Sequence, residues 1–400
     1  MMGAMAISID EARAKVLGAV EAPLPPEDVA IADALGRVLA EDVVASGNVP
    51  GFDNSAMDGF AVRSAPAGST LRIVGESRAG APADVAVGEG EAVRISTGAA
   101  MPEGADAVLQ IERVSVNGET ITLGNDVEPG RNVRPAGDDM AAGAVVLAKG
   151  ARLGPAELGV AVAAGRVTIA CARRPRVVVL ATGDELVPAG TPLGPGQLHE
   201  TNGLTLGALA TQSGVQVLRT EVVRDTAAET RAAIADALDD VDALLLSGGV
   251  SVGPHDHVKP ALEAHGVREV FWRVALRPGG PVWFGTRGAT LVFGLPGNPV
   301  SAMVTFLLFA RPALAVLQGA SHDPERIVAS LGASLSRLAD RDQCVRVTLR
   351  DGVATPTGPQ GSHQLRSMVG ADGLAIIPMG EGAIDEGAEV VVERLDRTPW

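Results

Sequence analysis

Three predicted strands of this chain each run into a polar, glycine-rich loop whose residues suit an anionic ligand. Glycine lets a backbone approach a ligand closely, and free amides at the start of a helix bind anions. Proline fits the first helical position, where its missing amide leaves no bond unmade. The alternative interpretation is three ordinary strand-to-helix turns. The loops are Thr182-Gly183-Asp184-Glu185-Leu186, Ser247-Gly248-Gly249-Val250-Ser251-Val252-Gly253 and Gly294-Leu295-Pro296-Gly297-Asn298-Pro299-Val300-Ser301.

Acidic side chains in and near these loops could perform acid–base chemistry or hold a divalent cation. Glu185 and Asp256 are carboxylates of the kind that both roles require, and Ser251 adds a hydroxyl. The run Asp-Asn-Ser-Ala-Met-Asp-Gly-Phe-Ala at 53–61 holds two further acids. This run is either a series of Asx turns or a segment that brings an acid, Asp58, to a site on another domain.

Cationic side chains lie before a tight turn at 278–281, Pro-Gly-Gly-Pro. Arg273 and Arg277 could together hold an oxyanion, because guanidinium groups bind planar and tetrahedral anions through several hydrogen bonds. The alternative is a pair of solvated arginines. His255 and His257 flank Asp256, but residues so close in sequence rarely converge on one metal ion, so a histidine-ligated metal is disfavoured.

The pattern of strands and helices predicts how these residues are positioned. From Arg176 on, apolar strands alternate with helices, which predicts a mostly parallel sheet covered on both faces. Ligands bind such sheets beyond the carboxyl ends of the strands, where the three loops should meet. The predicted domains are a helical or linker unit (1–46 with 140–173), an inserted all-β domain (47–139), an α/β domain (174–325) and a C-terminal β module (326–400).

Composition excludes several function classes. Acidic residues number 48 and basic residues 33, which gives a net charge of −15 and argues against a nucleic-acid or anionic-membrane binder. Cys171 and Cys344 show neither metal-ligand nor redox spacing. The N-terminus lacks the pattern of a signal peptide, and no uncharged apolar run reaches the roughly 18 residues that a membrane span requires. We therefore expect a cytoplasmic protein.

The motifs together resemble the MoeA family of molybdopterin molybdenumtransferases, which is homologous to the E domains of gephyrin and of a plant protein. The resemblance covers essentially the whole chain, with the motifs in order. Besides the three loops and the run 53–61, the matching segments are Ser-Thr-Gly-Ala at 96–99, Pro-Glu-Gly-Ala-Asp-Ala-Val at 102–108, Gly-Arg-Asn-Val-Arg at 130–134, Gly-Asp-Asp at 137–139 and Gly-Ser-His at 361–363.

The resemblance implies a fold and an activity. The implied fold has a helical subdomain built from two chain segments, an inserted β domain, a molybdopterin-binding α/β domain and a C-terminal β barrel. The implied reaction converts adenylylated molybdopterin and molybdate to molybdenum cofactor and AMP, with Mg²⁺ assisting by neutralising charge. The family forms homodimers with a cleft between the α/β domain of one subunit and the inserted domain of the other. Implied partners are a molybdopterin adenylyltransferase and recipient molybdoenzymes.

The resemblance also assigns roles to individual residues. It implies catalytic roles for Asp58, Glu185, Asp225 and Asp256, with Mg²⁺ or water held by Glu185 and Asp256. Amides of the loop 247–253 would bind the pterin phosphate, and Arg277 would help to place the molybdate. The implied substrate-binding residues are Thr97, Asp139, Ser247, Gly248, Gly249, Ser251, Arg277, Pro296, Pro299, Arg346 and Ser362.

The chain departs from the family pattern at the turn 278–281. Many members have lysine where this chain has Gly280, and lysines often occur where it has Arg273 and Arg277. One alternative is therefore a paralogue with weak activity or a different oxyanion. Others are a non-catalytic molybdopterin-binding scaffold, an adenylyltransferase and a nucleotide hydrolase on the same α/β domain. Molybdate-dependent AMP release would distinguish insertion from adenylylation, which releases pyrophosphate from ATP.

Overall fold

A computed structural model describes residues 6–250 and 257–395, and within these ranges three six-stranded sheets organise the chain. The inserted sheet, the α/β sheet and the barrel sheet follow one another in sequence. Each has a hydrophobic core of its own, formed by the inward residues of its strands. The helices of the described ranges are α1 (Ile9–Leu17), α2 (Pro155–Ala163), α3 (Asn202–Gln212), α4 (Ala227–Ala237), α5 (Val258–Ala264), α6 (Pro299–Thr305) and α7 (Arg311–Leu317).

The inserted sheet is all-β, as the alternation of short β-branched runs and turns predicts. Phe60 and Ile121 are fully buried on its core face, where Leu71 and Leu109 also lie. Thus the insertion forms its own core rather than extending another. Its strands, in spatial order, are Ala107–Gln110, Gly59–Val62, Glu91–Ile95, Thr70–Ser77, Thr120–Leu123 and Val114–Asn117.

The two chain segments that flank the insertion meet in a small joining unit of paired strands. Pro26–Ala30 pairs antiparallel with Thr168–Ala172, and Val43–Val44 pairs with Val145–Leu147. Only α2 and a short 3₁₀ turn are helical here, so the unit differs from the mainly helical one that we expected. Short segments such as these obtain their strand conformation from pairing across more than a hundred residues, which local sequence patterns do not reveal.

Helix α1 lies on the α/β domain instead of packing against α2. It begins after Ser8, whose hydroxyl accepts the Glu11 amide at 3.1 Å as the capping pattern predicts. Its buried face, Ile9, Ala12 and Val16, joins the large core that also holds the helix Pro299–Leu317. The unit predicted from 1–46 with 140–173 therefore does not include α1.

The α/β sheet has the mostly parallel order that the sequence predicts. Strand Arg176–Thr182 pairs in parallel with Gln216–Val223 on one side and Ala243–Ser247 on the other. Ala243–Ser247 pairs in parallel with Thr290–Leu295. The sheet ends in two antiparallel pairings, first with Trp283–Arg287 and then with Arg268–Trp272. Helix α4 begins at the predicted cap, because Thr226 accepts the Glu229 amide at 3.2 Å.

The long helix, Pro299–Leu317, is continuous but contains a π-helical turn at Phe306–Ala310. Pro312 has no amide, so the carbonyl of Leu308 lacks its usual helical partner and accepts the Arg13 Nε at 3.2 Å instead. By length and composition alone, this helix could cross a membrane, but 78% of its most apolar stretch is buried within the molecule. We interpret it as the core helix of the α/β domain.

The barrel closes through five strands. The strands, in spatial order, are Asp342–Arg350, Val353–Pro356, Arg326–Leu331, Glu389–Arg394 and Gly373–Ile377, and the last pairs back with the first. A short strand of the α/β domain, Leu276–Arg277, adds to Asp342–Arg350 in parallel. The barrel and the α/β domain are therefore joined by main-chain hydrogen bonds.

A buried ion-pair network also joins these domains. Both terminal nitrogens of Arg13 donate to the Glu393 carboxylate, at 3.1 and 3.0 Å. Arg13 and Glu393 are only 7% and 6% exposed. Arg326, which is on the barrel surface, donates to the same carboxylate at 3.0 Å. Arg13, which also donates to the Leu308 carbonyl, thus connects the N-terminal helix, the long helix and the barrel.

Candidate active site

The three glycine-rich loops meet at the carboxyl edge of the α/β sheet. The Gly248 amide donates to the Leu295 carbonyl at 3.0 Å, which joins the second loop to the third. A Cβ on Gly248 would lie 2.7 Å from the Thr182 carbonyl oxygen, so the first loop lies directly against the second. The predicted convergence of the loops is confirmed by these contacts.

Asn202, at the first position of α3, fixes the second and third loops from beneath. Its side-chain amide donates to the Ser247 hydroxyl at 2.8 Å and to the Gly297 carbonyl at 2.7 Å. The residue is 8% exposed, and its buried Oδ1 has no hydrogen-bond partner among the described residues. Sequence reasoning missed Asn202, although its place beside a predicted helix start could have suggested a cap.

The amides at the start of the long helix are only partly engaged. Val300 donates to the Ser362 carbonyl of the barrel at 3.0 Å. Gly297, Asn298 and Ser301 donate no amide hydrogen bond to any other residue that the structure describes. Because free amides at a helix start attract anions, this turn has amides available for the anion binding that its sequence predicts.

Position 248 requires glycine because of its backbone conformation, and not because its amide binds a ligand. That amide already donates to the Leu295 carbonyl. Its φ of +91° lies in the region that only glycine occupies without strain. The expected role of the Gly248 amide in binding a phosphate therefore does not fit this geometry. The Gly249 backbone, with a φ of +64°, also needs glycine.

We expect Gly248→Ala to destabilise the protein by about 1–3 kcal/mol, because it combines a strained φ with a clash against a main-chain carbonyl. Gly297→Ala is the matched control: its Cβ would meet its nearest neighbour, the Gly248 Cα, at an ordinary 3.6 Å. Thermal unfolding of both variants checks the difference. Equal melting temperatures would contradict the steric argument.

Three acids gather where the first loop meets the end of the neighbouring strand. The Asp225 amide donates to the Asp184 carboxylate at 3.1 Å. Burial raises the pKa of Asp225, and the charges of Asp184 and Glu185 raise it further. The Thr182 hydroxyl and His257 act in the opposite direction and lower this pKa. The carboxyl edge of the sheet therefore concentrates negative charge at its first loop.

This group of acids is chemically suited to Mg²⁺ but does not enclose it. Within residues 6–250 and 257–395, no three histidine, cysteine or carboxylate side chains converge as a complete metal site. Mg²⁺ commonly keeps several waters and uses one or two carboxylates together with phosphate oxygens. Glu185 belongs to a group of carboxylates that repel one another, so it fits this partial role as a magnesium ligand. The other expected metal ligand, Asp256, and the expected substrate-binding Ser251 lie outside the described residues.

A cavity of about 220 Å³ lies where the α/β domain meets the barrel. Arg277, exposed at the end of its short strand, and Arg346, from the longest barrel strand, line it. The backbone of Gly361 forms another part of its wall. The neighbouring Ser362 carbonyl accepts the Val300 amide, so the cavity adjoins the start of the long helix.

Arg346 is a buried cation whose hydrogen-bond partners among the described residues are all neutral. It is 1% exposed and donates to the Ser367 hydroxyl at 3.1 Å and to the Gly361 carbonyl at 3.3 Å. Burial lowers its pKa to about 10, so the side chain still carries its charge at neutral pH. A buried charge without an acidic partner is costly. An oxyanion in the adjoining cavity would compensate that charge.

The space beside Gly280 is limited by main-chain atoms and not by side chains. A Cβ at this position would lie 3.0 Å from the Leu276 carbonyl and 3.3 Å from the Val274 carbonyl. Both contacts are tight. A lysine here would therefore require a small backbone shift, and the chain relies on Arg277 and Arg346 for positive charge in this cavity.

The remaining predicted residues form a second cluster on the inserted sheet. The Asp58 carboxylate accepts the Thr97 amide at 2.7 Å and the Thr97 hydroxyl at 3.1 Å. Asp139 lines a cavity of about 460 Å³ together with Arg134 and the half-exposed Phe52. Between described residues, no hydrogen bond or ion pair joins 50–139 to 176–320. One chain thus carries two half-sites, which the described contacts do not bring together.

Comparisons with known proteins cover nearly the whole chain. The profile "MoeA N-terminal region (domain I and II)" matches residues 7–165, and "Probable molybdopterin binding domain" matches 178–316. "MoeA C-terminal region (domain IV)" matches residues 328–395. The boundaries of these matches fall between the inserted region with its flanks, the α/β domain and the barrel.

Several proteins are similar along their full length. The molybdopterin molybdenumtransferase of Haemophilus influenzae is 36% identical over 97% of this chain and 98% of its own length. Molybdopterin molybdenumtransferase 2 of Mycobacterium tuberculosis is 37% identical over 92% and 94%. A solved structure of a molybdopterin biosynthesis MoeA protein from Pyrococcus horikoshii, 32% identical, superposes with a TM-score of 0.82 over 97% of this chain and 99% of that one.

Proposed function

Since this chain belongs to the MoeA family of molybdopterin molybdenumtransferases, we propose that it uses molybdate to convert adenylylated molybdopterin to molybdenum cofactor and AMP. The observation that carries the proposal is the contact between an anion-binding turn and an oxyanion cavity. Val300, in the first turn of the long helix, donates to Ser362 of the barrel, beside Gly361 in the cavity wall. A phosphate at the turn and a molybdate in the cavity would thus be neighbours.

Different residues of the carboxyl edge would have different roles in binding the substrate. Asn202 holds the second and third loops in one arrangement, and Pro296 and Pro299 stiffen the turn between them. The amides of Gly297, Asn298 and Ser301 would bind phosphate oxygens. Preorganised donors of this kind stabilise developing negative charge without reorganising during the reaction.

The cavity residues would bind molybdate. Arg346 supplies a fixed guanidinium, since Ser367 and Gly361 hold it from behind. Arg277 supplies a second one from the exposed side, and Ser362 lies beside the same wall. Two guanidinium groups match a tetrahedral dianion in both charge and hydrogen-bond geometry.

We further propose that Mg²⁺ takes part, held by Glu185 together with Asp256. The ion would supply charge neutralisation at the scissile phosphate. The concentration of acids around Asp225 supports this assignment, because their mutual repulsion favours a bound cation. Removing Mg²⁺ with a chelator should then stop AMP release. Unchanged release with the chelator present would exclude the proposal for the metal.

Two copies of the chain would complete the site. We propose a homodimer in which Asp58, Thr97 and Asp139 of one subunit face the carboxyl edge of the other. The separation of the two half-sites within one chain supports this arrangement. Mixing inactive Asp58→Asn and Glu185→Gln variants tests it, because a mixed dimer regains one intact site. If mixed dimers of the two variants form but show no activity, the arrangement is ruled out.

The direct test incubates the purified protein with adenylylated molybdopterin and Mg²⁺, with and without molybdate. Molybdate-dependent AMP release that also reconstitutes a cofactor-free molybdoenzyme is the expected result. Tight binding without AMP release would identify a scaffold, and pyrophosphate release from ATP would identify an adenylyltransferase. A parallel series with tungstate tests whether Gly280 changes the oxyanion preference. We place the reaction in the cytoplasm, with hand-over of the product to molybdoenzymes.

Asp225→Asn is expected to stabilise the protein near neutral pH while lowering its turnover. The pKa of Asp225 is raised in the folded state, so its ionised form reduces the free energy of unfolding. As the pH falls below the unfolded-state pKa of about 3.9, the carboxyl becomes protonated in both states and the difference should vanish. Melting temperatures of both proteins between about pH 2.5 and 8 check this. A variant that is less stable at pH 7 would contradict it.

A further inference from the structure

Phe52 is exposed in a cavity, whereas the other phenylalanines of this chain are buried in its cores. All seven phenylalanines lie in the described ranges, and each except Phe52 is at most 6% exposed. Phe52 is 51% exposed and lines the cavity of about 460 Å³ that also contains Asp139. An aromatic face that is left open in this way is available to stack on a flat ligand ring.

The backbone on both sides of Phe52 is fixed by hydrogen bonds. Before it, the Pro50 carbonyl accepts the Gly137 amide at 2.8 Å. After it, the Asp53 carbonyl accepts the Met101 amide at 2.9 Å. The exposed ring is therefore presented by a rigid segment, and a preorganised group of this kind loses little entropy when a ligand binds.

Charged side chains share this cavity with the ring. Arg134, Asp138 and Asp139 line it, and all three residues are exposed. Within the described ranges, none of these three side chains forms a hydrogen bond or an ion pair with another residue. The cavity thus offers one aromatic face, two hydrogen-bond acceptors that carry negative charge and one cationic donor.

The cavity adjoins the pair of Asp58 and Thr97. Gly98, which lines the cavity, directly follows Thr97, whose amide donates to the Asp58 carboxylate at 2.7 Å. The Gly98 amide donates to the Ser55 carbonyl at 2.8 Å, which holds this wall of the cavity in place. The cavity therefore belongs to the half-site on the inserted sheet, which the proposed homodimer turns towards the carboxyl edge of the partner.

The two ring systems of adenylylated molybdopterin present different hydrogen-bonding edges. A pterin has an amino group beside a ring N–H, which makes two adjacent donors, and a ring carbonyl follows them. Adenine has an amino donor beside a ring-nitrogen acceptor, and a carboxylate repels such an acceptor. Because ionised carboxylates only accept and arginine only donates, the charged groups of this cavity match the edge of a pterin.

We propose that Phe52 stacks on the pterin ring of the substrate and that Asp138 and Asp139 accept hydrogen bonds from its two adjacent donors. Arg134 donates to the ring carbonyl. The proposal rests on the proposed function and adds to it where the pterin end of the substrate binds. Its volume lies within the range of small-molecule sites, and a few placed polar groups around an apolar face are typical of them.

The test titrates the full-length protein with free pterin and with lumazine, in which a carbonyl replaces the amino group of pterin. Fluorescence anisotropy of either ring reports binding near neutral pH. The wild type should bind pterin about tenfold more tightly than lumazine, because lumazine leaves a carboxylate facing an acceptor. Phe52→Leu should weaken the binding of both rings by about tenfold, and Phe52→Trp should restore it.

Variants of the charged residues separate hydrogen bonding from stacking. The double variant Asp138→Ala, Asp139→Ala should bind pterin and lumazine equally, with lumazine bound no more weakly than by the wild type. Arg134→Met should weaken both rings, because both have the carbonyl to which Arg134 donates. A general structural defect would instead weaken both rings in the double variant.

Val116→Ala and Glu119→Gln are the matched controls within the inserted sheet. Val116 is 46% exposed and lies on Val114–Asn117, the strand at one edge of that sheet. Glu119 is exposed in the turn that follows this strand. Both variants should bind the two rings as the wild type does. In turnover, Phe52→Leu should raise the KM for adenylylated molybdopterin with little change in kcat.

Unchanged pterin affinity in Phe52→Leu would overturn the subsite, even if the wild type releases AMP on molybdate addition. Pterin binding that depends on Phe52 and on the two acids would support the subsite even if molybdate releases no AMP, and only the proposed function would then fail. A wild type that binds pterin no better than lumazine excludes the subsite. Displacement of pterin by adenosine, or loss of the dimer in Phe52→Leu by light scattering, would also overturn it, because the ring would then contact the nucleotide or the partner subunit.

Discussion

Glu393→Leu is expected to lower the free energy of unfolding by about 3–5 kcal/mol, because it leaves Arg13 charged and buried without an acidic partner. Arg13 is 7% exposed, so its charge lies almost entirely out of water. Arg13→Ala should cost less, because Arg326 remains bonded to the Glu393 carboxylate. Urea denaturation of both variants measures which of them loses more free energy of unfolding.

The double variant Arg13→Met, Glu393→Leu should recover at least half of the lost stability, since apolar side chains often replace a buried ion pair without penalty. The exposed pair Arg394–Glu325, whose side chains are 49% and 57% exposed, provides the control. Glu325→Gln should cost no more than about 1 kcal/mol. If the double variant were as unstable as Glu393→Leu, uncompensated charge would not be the cause.

Arg346→Met should separate stability from function. Methionine removes a buried charge that has neutral partners, so thermal stability should stay level or rise. Use of molybdate should fall by about 100-fold in kcat/KM, as expected when a preorganised donor to an oxyanion is lost. Molybdate-dependent AMP release at several molybdate concentrations measures this effect.

Arg277→Met is the control within the same cavity. Arg277 is exposed, so its removal should leave stability unchanged and reduce molybdate use by only about tenfold. A melting temperature that falls sharply in Arg346→Met would show that Arg346 mainly supports the barrel. An unchanged KM for molybdate in that variant would remove Arg346 from the site.

The carboxyl edge could be predicted because its signals are local. Buried parallel strands appear as continuous apolar runs, and each of the three runs directly into a glycine-rich loop. The cap at Thr226 and the turn at Pro299 follow from the residues themselves. The order of the sheet then places the loops together without further information.

Other features depend on contacts between distant residues. Asn202 reaches Gly297, 95 positions away, and Arg13 reaches Glu393, 380 positions away. The apolar face of α1 would suit any partner helix equally well, so its place on the long helix could not be deduced. Burial of Arg346 among neutral groups likewise arises from barrel closure, which no short segment encodes.

The inserted sheet is attached to the rest of the chain by a double-stranded neck. Asn54–Ser55 pairs with Val133–Arg134, and Val43–Val44 pairs with Val145–Leu147, so the outgoing and returning segments are bonded to each other at two levels. A ribbon of two paired strands bends more readily across its flat face than within its plane. Any hinge motion of this domain would therefore occur mainly about one axis. It would move Asp58, Thr97 and Asp139 together as one rigid body.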